Sequence, residues 1–307
     1  MTSGFAVVVP ARLGSTRLPG KVLLPIHGRP MIEHVWQAAR RSGATDVVVA
    51  TDDARVAEVA RGFGADVCMT AATHPSGTDR LADVVAQRGW SETRIVVNLQ
   101  GDEPQMPPEL LDAAAALLDA DATADIATFA HPIQAAADFA NPNVVKVVRD
   151  ARGHALYFSR APIPCWRDGG GALPSRPGAL RHIGLYAYRV AALKRFSALP
   201  AAPLETCESL EQLRALHHGL CIAVGVLETP PPHGVDTQAD LDAVATEIEA
   251  LGRRALPLAT DATDMQALEH LADQTVAKLG KLSIWVNNAG GIPDGAPRYL
   301  TRTPEDK

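Results

Sequence analysis

The first 120 residues alternate short apolar runs with stretches of helical periodicity, and that alternation limits the fold more than any other feature of the chain. Residues 5–9, 47–50, 66–69 and 95–99 have strand length and are mostly apolar, as strands covered on both faces must be. Residues 31–41 place Ile32, Val35, Trp36 and Ala39 on one helical face and end at Gly43, a natural C-cap. Residues 53–61, 79–87 and 107–118 also read as helices. Strand and helix in turn predict a mostly parallel sheet with helices on both faces. Ligands of such sheets lie beyond the carboxyl ends of the strands, which gathers three loops: 10–21, 74–80 and 100–104.

The first of these, PARLGSTRLPGK, reads as a phosphate-handling loop. Gly14 and Gly20 let backbone N–H groups approach an anion, and Arg12, Arg17 and Lys21 add cationic donors. It is not a P-loop, since five residues separate the glycines and Val22 follows the lysine. Nor is it a dinucleotide fingerprint, because Thr16 stands where a second glycine is needed. A basic surface loop is the plainer alternative. No acidic residue precedes Glu33 although the net charge is −6, so positive charge is gathered locally for an anionic ligand rather than spread for nucleic acid.

In HPSGTDR, Ser76, Gly77, Thr78 and Arg80 could meet a base, ribose or phosphate, or Ser76 and Thr78 could only cap the helix that follows. In QGDEP, Asp102 and Glu103 leave an apolar strand, a position where a carboxylate suits a hard cation such as Mg²⁺; a turn carboxylate without other duty is the alternative. Charged residues make up 21% of the chain and no stretch reaches the ~18 apolar residues of a membrane span, which predicts a cytoplasmic protein with no membrane contact. Cys68, Cys165, Cys207 and Cys221 show no CxxC spacing and read as free thiols.

Beyond residue 120 the pattern turns to meander-like strands at 126–129, 144–148, 155–158 and 183–188, with a hairpin turn at 150–153. They suggest a smaller antiparallel subdomain on the substrate side, where Arg160, His182 and Tyr186 cluster. The glycine-rich stretch 167–181 reads as a loop that could serve as a lid. Residues 208–217 read as a helix carrying Glu211 and Gln212, then a strand at 221–227. The stiff PPPHGVDT approach sets Asp236 just before a helix capped by Thr237, so that Asp236 is either part of the cap or a site residue.

Taken in order, PARLGSTRLPGK, VVVATDD, HPSGTDR, VNLQGDEP, NPNVVKVV, ALYFSRAPIP, RHIGLYAYR, LEQLR and GVDT resemble the 3-deoxy-manno-octulosonate (Kdo) cytidylyltransferases over about the first 245 residues. The resemblance implies a nucleotide-diphospho-sugar transferase fold of the glycosyltransferase-A-like type, usually a homodimer, acting on CTP and Kdo with Mg²⁺ and producing CMP-Kdo for lipopolysaccharide. It implies that Arg12 and Lys21 hold the triphosphate, and that Asp102 and Asp236 bring the metal. Ser76, Arg80 and Gln100 would line the nucleotide side; Arg160, His182, Tyr186, Glu211 and Gln212 would grip the acidic sugar. A related acidic sugar such as a sialic acid or an amino-Kdo is the alternative substrate, and a catalytically silent fusion protein the alternative of another class.

The chain runs on past the point where such enzymes stop. Residues 247–307, with NNAG at Asn287 to Gly290, resemble an internal piece of a short-chain dehydrogenase that lacks both the glycine-rich cofactor turn and the Tyr-x-x-x-Lys pair. The reading is therefore a cytidylyltransferase domain at 1–246 and a foreign extension at 247–307. The extension offers strands at 255–259 and 282–286 around a helix at 265–279, too little to bury both its faces.

Overall fold

The structure is a computed structural model and describes residues 4–14, 20–26, 29–74, 76–174, 178–232 and 265–279. The chain divides into two units, Met1–Leu13 with Lys21–Asp236, and Gly14–Gly20 with Thr237–Lys307. In the first unit, β1 (Ala6–Pro10) is followed by the two-residue strands β2 (Pro25–Ile26) and β3 (Arg29–Pro30), which form a small antiparallel ribbon. Then come α1 (Met31–Arg40), β4 (Asp46–Thr51), α2 (Ala54–Gly62), β5 (Asp66–Met69), α3 (Gly77–Arg88), β6 (Ile95–Asn98) and α4 (Pro108–Ala120). The expected alternation is present, with ends shifted by one or two residues.

The second half of the unit contains β7 (Ile126–Pro132), α5 (Ala136–Ala140), β8 (Lys146–Arg149), β9 (Ala155–Ser159), β10 (Leu180–Arg189), α6 (Val190–Ser197), α7 (Pro203–Glu208), α8 (Gln212–His217) and β11 (Ile222–Val226). The expected helix at 208–217 is in fact two helices. Ser209 takes a left-handed conformation at φ 50°, ends α7, and turns the chain before α8 begins. The hairpin at 150–153 forms as expected: Gly153 sits at φ 89°, and Asp150 Oδ1 accepts from the N–H groups of Arg152 and His154 at 2.8 Å each.

The main sheet runs β11-β7-β10-β6-β1-β4-β5, with β8 beside β10 and β9 beside β8. Along that row every strand points the same way except β10, which is antiparallel to both neighbours. Alternation along β1 divides the core. Val7 and Val9 face α1, α2 and α4 through Ile32, Val56 and Leu111, while Val8 faces α3, α6 and α8 through Leu81, Leu193 and Leu213. Each fully buried leucine contributes about 1.5–3 kcal/mol by leaving water.

Parallel pairing of β1 with β4 and β6 aligns their carboxyl ends. Gly101, just past β6, crosses so close to β1 that a Cβ there would lie 2.8 Å from the Pro10 carbonyl oxygen. The loops carrying Arg12 and Asp102 therefore share one edge.

The second unit is described over α9 (Met265–Leu279), the helix expected at 265–279. The strands expected at 255–259 and 282–286, the boundary at 246, Asp236 and its Thr237 cap lie outside the described residues. Among the described residues no helix is long and apolar enough to cross a membrane.

Candidate active site

A cleft of about 230 Å³ opens at the carboxyl edge. Arg12 and Gln100 reach it from the loops after β1 and β6, Asn98 from the end of β6, and Ser76, Gly77 and Thr78 from the start of α3. Tyr186 of β10 and Glu211 of the turn before α8 close the opposite side. Tyr186 arrives there through register: it pairs with Asn98 across β6, after a bulge in the β10–β7 pairing between Ile183 and Tyr186.

Ser76 takes the capping role and also stands at the cleft. Its Oγ caps α3 by accepting from Asp79 N at 3.2 Å. Gln100 Nε2 donates to Asn98 Oδ1 at 3.2 Å, which fixes the amide. Behind the cleft, Tyr186 and Glu211 also wall a hollow of about 60 Å³, completed by Ile126, Tyr188, Phe196, Gln212 and Ala215.

Glu211 is the most distinctive group in the site. Its Oε2 accepts from the Thr78 hydroxyl at 3.0 Å, whereas its Oε1 is buried without a hydrogen-bond partner among the described residues. Burial raises its pKa above the ordinary value, against the opposing hydrogen bond from Thr78 and the attraction of Arg214. An orphaned carboxylate oxygen at a cleft wall is costly unless a ligand supplies the missing donor.

His182 stacks edge-on to Phe158 with centroids 5.0 Å apart and lies 5.3 Å from the Tyr186 ring. Its Nε2 is 3.0 Å from Thr128 Oγ1, which also lies 2.8 Å from the Leu185 carbonyl oxygen. The hydroxyl has one proton, given to the carbonyl, so Nε2–H is the donor to Thr128. Burial pushes the His182 pKa down to about 3, so the ring is a neutral donor at physiological pH.

Three comparisons bear on this arrangement. The family model described as Cytidylyltransferase matches residues 6–222. A 3-deoxy-manno-octulosonate cytidylyltransferase of Halorhodospira halophila is 55% identical over 254 residues, covering 81% of this chain and 98% of the relative. The chain belongs to the 3-deoxy-manno-octulosonate cytidylyltransferase family. A second such cytidylyltransferase, from Nitrosococcus oceani, is 49% identical over 78% of this chain and 95% of its own length. A solved CMP:2-keto-3-deoxy-manno-octonic acid synthetase complexed with CTP superposes with a TM-score of 0.74 at 42% identity, covering 82% of this chain and all of that one. A second family model, short chain dehydrogenase, matches residues 221–303 and takes in the whole of α9.

Within this cytidylyltransferase the cleft joins Arg12, Ser76, Gln100, Tyr186 and Glu211, five of the residues expected from sequence. Lys21 pairs through Nζ with Asp102 Oδ2 at the same edge. Gln212 lines the hollow, and His182 packs against Tyr186. Arg80 sits apart from the cleft lining: it is buried, hydrogen-bonded to the Thr70 hydroxyl and 3.2 Å from Asp52 Oδ1, so it ties the loops after β4 and β5 to α3. Arg160 is also outside the lining. Its guanidinium donates to the carbonyl oxygens of Glu208 at 2.6 Å, Pro142 at 2.9 Å and Ser209 at 3.3 Å.

Sequence reasoning passed over Asn98, a buried polar residue ending an otherwise apolar strand, and that break in pattern is the signal that could have found it. For a metal, Asp102 offers a hard, partly exposed carboxylate already beside a cation, which fits Mg²⁺ as one ligand. No group of three His, Cys, Asp or Glu able to hold a metal occurs among the described residues.

Proposed function

We propose that the chain transfers CMP from CTP to the anomeric hydroxyl of Kdo and releases pyrophosphate, the step that activates Kdo for lipopolysaccharide. The sugar oxygen forms a bond to the α-phosphorus, the bond from that phosphorus to the β-phosphate bridging oxygen breaks, and the hydroxyl proton is lost. The observation that carries the reading is the meeting of Arg12, Ser76, Gln100, Tyr186 and Glu211 in one cleft of a chain 55% identical to a relative with that name.

Such a reaction needs alignment and charge neutralisation more than covalent catalysis. Arg12 and Lys21 are assigned to the triphosphate, where their charge offsets that developing on pyrophosphate. Asp102 and Asp236 are the carboxylates that would hold Mg²⁺, which when bound supplies charge to the phosphates and lowers the pKa of the attacking hydroxyl. Asn98, Gln100, Ser76 and Thr78 orient the nucleotide, and Arg80 holds the loops after β4 and β5 to α3, the helix that carries Thr78. The neutral His182, Tyr186, Glu211 and Gln212 hydrogen-bond the sugar hydroxyls, and Arg160 receives its carboxylate.

We assign the catalytic domain to residues 1–246 and treat 247–307 as an extension outside the chemistry. The enzyme works as a homodimer in the cytoplasm, where CTP is available. Pyrophosphate release should require CTP, Mg²⁺ and Kdo together. Release with sialic acid in place of Kdo, or with no acceptor, would overturn the assignment. Trypsin should cut at Arg253, Arg254 and Lys278 before the catalytic domain, and resistance there would show an integrated tail.

A further inference from the structure

We propose that Lys146 and Glu208, neither of which borders the cleft, are positioning residues that set Arg160 for the carboxylate of the acceptor. The inference rests on the reading that the acceptor is a sugar acid met by Arg160.

Lys146 lies on β8 with its side chain fully buried. A buried ammonium is costly unless compensated, and here all three of its hydrogen bonds go to the main chain. Nζ donates to the carbonyl oxygens of Val144 at 2.8 Å, Asn141 at 3.1 Å and Arg160 at 2.5 Å, one for each of its three protons. Burial lowers its pKa, against the attraction of Glu208.

Glu208 grips the same residue from the other side. Its carboxylate accepts from Arg160 N at 2.6 Å, from Ser159 Oγ at 2.9 Å and from Tyr157 OH at 2.9 Å. These hydrogen bonds outweigh burial and keep its pKa low. The main chain of Arg160 is thus fastened at its N–H by a carboxylate and at its C=O by an ammonium.

The guanidinium is then fixed by three carbonyls, one each on Nε, Nη1 and Nη2. Of its five N–H groups this leaves one on each Nη, the pair a carboxylate takes in two-point contact. Glu208 also stands immediately before the left-handed turn at Ser209 that delivers Glu211 and Gln212 to the site. One bracket therefore sets the arginine and the turn together.

The test is steady-state pyrophosphate release by Glu208→Gln, Lys146→Met and Ser159→Ala, with thermal denaturation of each. Glu208→Gln and Lys146→Met should raise the acceptor KM at least about tenfold, and Ser159→Ala a few-fold, with the CTP KM within about twofold of the parent. If Lys146→Met does not fold, the isosteric Glu208→Gln and the milder Ser159→Ala decide. Unchanged acceptor KM, or equal movement of both KM values, overturns the positioning role while leaving the proposed function intact. An unmutated protein that turns over a different sugar acid refutes Kdo alone, and the same KM split is then read with that acid. No turnover with any sugar acid overturns both.

Discussion

The two sides of the cleft are built on different terms. On the parallel side, Arg12 and Gln100 stand on loops that leave strand ends, and Arg12 is exposed. Behind the antiparallel side, polar groups outside the cleft lining are tied into the fold, His182 with Thr128, Arg160 with three carbonyls and Glu208 with Tyr157 and Ser159, while Glu211 on the wall itself keeps one oxygen unpaired among the described residues. Under the proposed function, the first side meets the charged nucleotide, with Gln100 fixed by Asn98 and Lys21 paired with Asp102 beside it. Under the same proposal the second meets the sugar acid with supporting groups ordered beforehand, which lowers the ordering cost of holding it.

The sharpest way to break this contrast is at the Lys21–Asp102 pair. Asp102→Asn should cut kcat at least about a hundredfold, since it removes a charge from a site dependent on electrostatics; a folded variant with most of its activity would remove Asp102 from the chemistry. Next comes Gly101→Ala, whose Cβ would press on the Pro10 carbonyl. It should lower stability by about 1–3 kcal/mol, read by denaturant unfolding, and weaken CTP more than acceptor.

On the preorganised side, Thr128→Val leaves the His182 N–H without its acceptor. It should cost about 1–3 kcal/mol and raise the acceptor KM with little change in the CTP KM. The smallest effect is a pH trend. The raised pKa of Glu211 means its folded form favours the proton, so its contribution to stability is greatest below the ordinary value of 4.5 and falls as pH rises through the folded pKa. Glu211→Gln should therefore gain in Tm relative to the parent as pH rises above the ordinary value of 4.5; a gap that stays constant would mean the carboxyl titrates normally.

The parallel side was also the more legible from sequence, for a physical reason. Strands buried on both faces announce themselves as apolar runs, and β1, β4, β5 and β6 lie where those runs fall. Arg12, Gln100 and Asp102 follow them directly. The burial of Arg80 could not be read, because it depends on Asp52 and Thr70 meeting it through the fold. Ser209 was missed because a left-handed serine has no propensity signal, and residues 208–217 read as unbroken helix across it. The helix α6 follows β10 without a turn residue between them, so no punctuation marked its start. The polar bonds behind His182 and Arg160 join residues far apart in sequence, and no local pattern encodes them.

The reversed strand β10 has a consequence for how the chain is made. It lies between β6 and β7, yet it leaves the ribosome some fifty residues after β7 is complete. Until then the hydrogen-bonding borders of both older strands have no mate, an invitation to pair with another nascent chain. Late insertion between two waiting edges makes this a high-contact-order, slow step, and makes residues 180–189 the strand that joins the two parts of the sheet before β11 is added at its outer edge.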